Sequence, residues 1–235
     1  MKIVMLNGQN HQGSTYHIGR MIAERIAGGN EITEFFFPQD LPHFCLGCYR
    51  CIEDRTACPF WEEKQKIMDA VDAADVLVVT TPTYCMHVSA PLKAFIDLTF
   101  DYWMAHRPMD SMFRKQVVIV STAAGAGTKS AMKDVRDALF YLGVPKIVRY
   151  GLAVQAQSWQ GVPAKKMAKI EKNTAAVAKK IKAKQPRVGI KTRFLFFLMG
   201  KMHKKGWNSS PVETAYWKER GWLDGKKPWN AAEPQ

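Results

Sequence analysis

The apolar positions of this chain alternate between two rhythms. Lys2–Asn7 is a short, nearly unbroken apolar run of β type, followed by a polar, glycine-containing stretch to Gly13. Behind Ser14, a natural helix cap, Ile18, Met21, Ile22 and Ile26 recur at helical spacing, and Gly28-Gly29-Asn30 ends the pattern. Glu31–Phe37 alternates into a second strand. Residues 38–59 show no period and read as loop, and Phe60–Ala73 is helical again, with Ile67, Met68 and Val71 on one side. Asp75–Thr81 is a continuous apolar run, the kind buried on both faces of a parallel sheet, and Pro82 stops it. Ser89-Ala90-Pro91 opens a helix to about Trp103. Gln116–Ser121 reads as the fourth strand, Thr128 begins a helix ending near Gly143, Lys146–Val154 is the fifth strand, and Pro163 starts a long helix to about Lys184.

Five strands alternating with helices predict an α/β three-layer sandwich with a five-stranded parallel sheet and right-handed crossovers. The most economical strand order is 2-1-3-4-5, in which ligands bind at the carboxyl ends of the strands. The loops after strands one, three and four are therefore where chemistry is expected. Residues 1–185 form the predicted domain, and residues 186–235 a basic, aromatic-rich C-terminal helical extension.

Charge sharpens that division. The net charge of the 235 residues is +13. Residues 1–160 carry 16 basic and 16 acidic side chains, whereas residues 161–235 carry 18 and 5. The excess belongs to the C-terminal third, which argues against a nucleic-acid-binding domain and for a neutral domain with a basic appendage. The start of the chain lacks a signal-peptide pattern, and the apolar run Phe194–Met199 is far short of the ~18 residues that span a bilayer. Cytoplasmic residence is the expectation, with reduced thiols.

The three loops share a ligand-binding character. Asn7-Gly8-Gln9-Asn10-His11-Gln12-Gly13-Ser14-Thr15-Tyr16 offers hydroxyls and backbone N–H groups at a helix N-terminus, a setting that favours a phosphate monoester, although Ser14 and Thr15 would also serve as simple caps. It is neither a GxGxxG nor a Walker loop. Pro82-Thr83-Tyr84-Cys85-Met86 brings an aromatic ring, a thiol and a thioether to one loop, a flat and polarisable platform for a planar ring. Ser121-Thr122-Ala123-Ala124-Gly125-Ala126-Gly127 is small enough for backbone to approach a ligand closely. There is no HExxH and no Gly-x-Ser-x-Gly elbow.

Four of the five cysteines crowd into Cys45-x2-Cys48-x2-Cys51-x6-Cys58, with Pro59 directly after. Thiolates at such intervals can converge on one soft metal centre. An iron–sulfur cluster, a zinc site and thiols retained only to pack a loop all stay open on the residues alone.

These motifs together resemble the NAD(P)H-dependent FMN reductases and iron–sulfur flavoproteins of the flavodoxin-like group, over roughly residues 1–155. Gly8–Thr15 corresponds to that group's phosphate loop, with Gln9 and His11 where serine and arginine are usual. Pro82-Thr83-Tyr84-Cys85 and Leu92-Lys93-Ala94-Phe95-Ile96-Asp97 follow its flavin loop and the helix after it. The resemblance implies a flavodoxin-like fold binding FMN through Gln9, His11, Ser14, Thr15, Pro82, Thr83, Tyr84, Cys85, Met86, Ala124 and Gly125. The implied enzyme is an oxidoreductase with NAD(P)H as co-substrate, passing reducing equivalents to a small-molecule or redox-protein acceptor. In the iron–sulfur members the cysteine run ligates a [4Fe-4S] cluster, which here would use Cys45, Cys48, Cys51 and Cys58. A homodimer is expected, with the extension wrapping the second subunit and bordering the flavin pocket. This arm is preferred over contact of residues 190–205 with a membrane surface.

Overall fold

The computed structural model describes residues 1–156, 158–183, 185–207 and 210–230. Strands β1 (Ile3–Asn7), β2 (Ile32–Phe36), β3 (Val76–Pro82), β4 (Gln116–Ala123) and β5 (Lys146–Ala153) form one parallel sheet in the order β2-β1-β3-β4-β5. Successive residues of each strand face opposite sides. Val4, Leu6, Leu77, Val79, Val117 and Ile119 point to one layer, made by α3 (Trp61–Ala73), α4 (Ala90–Leu98) and α5 (Thr128–Tyr141). Ile3, Met5, Val76, Val78, Val118 and Val120 point to the other, made by α1 (Ser14–Ala27) and α6 (Ala164–Lys182). Both faces are covered, which is why the central strands β1, β3 and β4 read as continuous apolar runs. This is the flavodoxin-like arrangement the pattern predicts.

Two departures have physical causes. The helix expected to reach Trp103 stops at Leu98, where the Thr99 hydroxyl donates to the Ile96 carbonyl at 2.7 Å and a 3₁₀ turn, Phe100–Tyr102, follows. The stretch 38–59 is not uniformly loop. It holds a four-residue helix, α2 (Arg50–Glu53), and a 3₁₀ turn, Arg55–Ala57, capped by Asp54 accepting from the Thr56 N–H at 2.8 Å. Elements this short carry no period to read. The expected end of α6 at Lys184 lies outside the described residues.

The extension forms α7 (Ile190–Lys205), α8 (Pro211–Glu219) and a 3₁₀ turn, Pro228–Asn230. Ser210 and Glu213 make a reciprocal capping box at the start of α8. Contrary to the expectation that it borders the flavin pocket, the extension packs on its own chain at the other end of the sheet. Phe196, Trp217 and Trp222 bury against Met104 and Phe113. The Trp217 indole donates to the His106 carbonyl at 2.7 Å, the Tyr216 hydroxyl to the Pro108 carbonyl at 2.6 Å, and Arg220 pairs with Asp110 at 3.1 Å. Residues 106–114 lead into the amino end of β4, and Phe113 lies against Gly143, which leads into β5. The aromatic side chains find an intrachain hollow there, one that sequence spacing does not reveal. No helix of the described residues is long and apolar enough to cross a membrane.

Candidate functional site

The three loops meet at the carboxyl edge through close backbone approach. The Gly8 N–H donates to the Thr80 carbonyl at 2.8 Å, and the Ser89 hydroxyl donates to the Gly8 carbonyl at 2.8 Å. A Cβ at Gly8 would stand 2.6 Å from Ser89 Oγ, so only glycine fits. Gly13 is the N-cap of α1 and provides no side-chain cap. The first N–H groups of α1 are thus left for an external acceptor, at the positive end of the helix dipole. Ser14 and Thr15 are therefore not caps. Thr15 is buried and its hydroxyl pairs with that of Thr122 at 2.6 Å, which joins the first loop to the end of β4.

The third-strand loop is tied to the same place. The Thr83 N–H donates to the Thr122 carbonyl at 2.8 Å, and the Thr83 and Ser121 hydroxyls pair at 3.0 Å. Tyr84 and His87 then exchange backbone hydrogen bonds of 3.2 and 2.9 Å around Cys85 and Met86. Both central residues have left-handed backbone, with φ of 47° at Cys85 and 69° at Met86. Such a turn normally takes Asn-Gly, so this one is held under strain. His87 and the Val88 N–H anchor it on the Asp134 carboxylate at 3.0 and 3.3 Å. Tyr84 and Met86 stand 45% and 53% exposed. Gly127, with φ of 99°, closes the fourth-strand loop onto this turn; a Cβ there would lie 2.6 Å from Thr83 Cγ2 and 3.0 Å from Met86 Sδ.

Gln9, His11, Thr15 and Pro82 line one cleft with Gly13, Tyr16 and Thr80. Ser14 begins α1 beside it, and Thr83, Tyr84, Cys85 and Met86 form the strained turn on the same edge. Ala124 and Gly125 are exposed on the fourth-strand loop and do not line the cleft. Ser89, Ser121 and Thr122 knit the loops together, a role that their places in the sequence do not show, because hydrogen bonds between distant hydroxyls leave no periodic signature. These residues fit a flavin phosphate at the uncapped helix start, with a ring against the exposed turn.

The four clustered cysteines line a separate cavity of about 340 Å³, together with Phe60, Lys64, Ile96, Phe100 and Trp103. All are free thiols. Among the described residues, no three His, Cys, Asp or Glu side chains are placed to hold a single metal ion. A four-iron cluster spaces its thiolates further apart than one ion does, and the shared cavity suits that donor set in chemistry. Burial, reinforced by Asp101 and by the neighbouring Cys58 and Cys45, pushes the Cys51 thiol up to about 11.

Beneath the cavity lies a buried ionic network. Asp101 accepts from Lys64 Nζ at 3.1 Å and from Arg55 Nε at 2.7 Å, and both Lys64 and Asp101 are almost fully buried. Arg107 donates to the Cys51 carbonyl, and Arg55 to the carbonyls of Asp101 and Arg107. Lys64 shares the buried face of α3 with Ile67, Met68 and Val71. A lysine in phase with the apolar stripe is the sequence signal that could have located this network.

The family model described as NADPH-dependent FMN reductase matches residues 1–158. An iron–sulfur flavoprotein of Archaeoglobus fulgidus is 28% identical over 98 residues, which are 41% of this chain and 48% of that protein. One from Methanocaldococcus jannaschii is 30% identical over 99 residues, or 41% and 51% of the two chains. The chain thus spans about half the length of the curated relatives it matches. Among solved structures, an azoreductase from Bacillus anthracis aligns with a TM-score of 0.56 at 12% identity, covering 77% of this chain and all of that one, a likeness of fold.

Proposed function

The chain belongs to the NADPH-dependent FMN reductase family, and on that premise we propose that it is an FMN-dependent oxidoreductase. In this reading it takes reducing equivalents from NAD(P)H and passes them to a small-molecule or redox-protein acceptor. The observation that carries the reading is the uncapped start of α1, set where three strand-end loops converge. The free N–H groups of α1 and the Ser14 hydroxyl bind the FMN phosphate, with Thr15 held in place by Thr122 and with Gln9 and His11 on the cleft wall. Pro82, Thr83, Tyr84, Cys85 and Met86 border the ring, and Ala124 and Gly125, outside the cleft itself, approach it with backbone on the fourth-strand loop. The bound flavin supplies the hydride chemistry, and the protein supplies position and exclusion of water. Residues 1–185 constitute this unit, as a cytoplasmic homodimer, and light scattering of the purified protein tests the dimer.

Flavin titration tests the central claim. Ser14→Ala should weaken FMN binding about tenfold or more, through loss of a charge-assisted hydrogen bond, and leave the apoprotein's melting temperature unchanged. Absence of FMN binding by the wild type under reconstituting conditions would sink the reading.

The cavity lined by all four clustered thiols favours a second reading, in which Cys45, Cys48, Cys51 and Cys58 ligate a [4Fe-4S] cluster and the protein works in electron transfer. Four curated relatives bear the name iron–sulfur flavoprotein. Anaerobic preparations should then be brown and contain iron and sulfide, and Cys48→Ser should remove the iron and spare the flavin. Colourless or purely yellow anaerobic protein rejects it.

A further inference from the structure

Helix α7 carries more apolar surface than the described residues of its own chain cover. Phe194, Leu195, Phe196, Phe197 and Leu198 are consecutive and so point around the whole helix. One face is accounted for: Thr192, Phe196 and His203 are buried, with the Phe196 ring 4.7 Å from that of Trp217. The opposite face is not. Ile190 is 86% exposed, Phe194 65% and Phe197 53%, at i, i+4 and i+7, with Leu198 exposed beside them. The same stripe runs on into exposed Lys201, Lys204 and Lys205, and exposed Trp207 follows the helix. The lysines lean on the rings: Lys201 Nζ lies 4.7 Å from the Phe197 ring and Lys205 Nζ 4.4 Å from the Trp207 ring.

α7 has five Lys or Arg and no acidic residue. Beside its outer face, a hollow of about 560 Å³ is lined by Lys201, Lys204 and Lys227, with Asp224 as the one acid. Two occupants could cover such a surface. A second copy meeting it about a two-fold axis would bring the same cations against themselves, and like charges juxtaposed across an interface oppose association. Four apolar side chains are also few beside the ~20–30 residues a side of a stable interface. An anionic lipid surface matches both halves of the stripe. Aliphatic and aromatic side chains enter the headgroup–acyl boundary, a tryptophan sits at that boundary, and lysines meet the lipid phosphates.

We infer that α7 docks the protein on an anionic membrane surface, lying in the interface plane with Ile190, Phe194, Phe197 and Leu198 inserted. Lys201, Lys204 and Lys227 then receive a lipid phosphate in the hollow. This inference is independent of the flavin reading.

Sedimentation of full-length protein with vesicles tests it. Equimolar phosphatidylglycerol and phosphatidylcholine vesicles should carry the protein down at low salt, and pure phosphatidylcholine vesicles should not. Combining Lys201→Gln, Lys204→Gln and Lys205→Gln should weaken binding about 100-fold, at roughly fivefold per lysine. Phe194→Ser with Phe197→Ser should also abolish retention, and because these side chains are exposed, both variants should melt like the wild type. Failure to bind the anionic vesicles, equal binding to both vesicle types, or retention unchanged in the variants overturns the inference. So does a wild-type dimer that Phe194→Ser with Phe197→Ser converts to monomer, since a second copy would then cover the face. Displacement from vesicles by inorganic phosphate at matched phosphate concentration would reassign the hollow to a free anion.

Discussion

The turn at Cys85 and Met86 offers a test in which stability and binding move in opposite directions. Cys85→Asn together with Met86→Gly replaces two residues strained at φ of 47° and 69° by the pair that such a turn prefers. A non-glycine residue in the left-handed region costs about 1–2 kcal/mol. Glycine removes that cost at position 86 but returns about 0.5–1 kcal/mol through its freer unfolded chain. Asparagine recovers part of the cost at position 85. Little packing is lost, because Met86 is 53% exposed. The net expectation is an apoprotein more stable by about 1 kcal/mol, a rise of about 2–4 °C in Tm for a chain of this size. Flavin binding should weaken severalfold, because the thioether beside the ring is gone. Urea unfolding of the apoprotein and quenching of FMN fluorescence read the two quantities separately. A variant that is less stable, or more stable with undiminished flavin affinity, would refute the idea that the strain is kept for the ligand.

Gly127→Ala should destabilise by about 2 kcal/mol or more and lower flavin retention, because its Cβ would stand 2.6 Å from Thr83 Cγ2 at a φ of 99°. Gly125→Ala, with nothing within 4 Å, is its silent control in thermal melting. Asp101→Ala should cost about 3–5 kcal/mol in urea unfolding, since it leaves Lys64 and Arg55 without their buried counter-charge. Lys64→Met should cost less, because Arg55 still neutralises Asp101. Burial holds the Lys115 ammonium down at about 8, against 10.5 when unfolded. Between those pH values the unfolded chain binds more protons, so wild-type stability should rise with pH relative to Lys115→Met, by up to about 3 kcal/mol. Below pH 8 the difference between the two should be flat, and a fall across the window would contradict the burial.

The sheet was legible because its central strands β1, β3 and β4 are apolar on both faces and the helices that cover it carry apolar stripes, and Val76–Val79 needs no tertiary knowledge to be placed. The candidate loops were legible through their position after strands and through Gly8, Ser14 and Tyr84. What the chain hides is contact between distant hydroxyls, such as Thr15 with Thr122, and the strain at Cys85, which no composition announces. The extension was misplaced for a related reason. Its apolar residues demand cover, but Phe113 and Met104, which help to supply it, sit in a segment without period.

Residues 101–108 are gripped from two sides. Arg55 and Lys64 hold Asp101, and Arg107 holds the Cys51 carbonyl, while Trp217 and Tyr216 bond to His106 and Pro108, and the His106 ring pairs with Glu213 at 2.7 Å. A segment bonded in this way cannot release one neighbour without loosening the other. The thiol-bearing turn and the last helix of the chain, more than a hundred and fifty residues apart in sequence, therefore belong to one cooperative opening unit. Amide protons of 50–57 and 211–219 should exchange with a common free energy, below that of the central strands. The partial cover of Cys51 and Cys58 is in this sense tied to Trp217 and Tyr216, which grip the same segment from its other side.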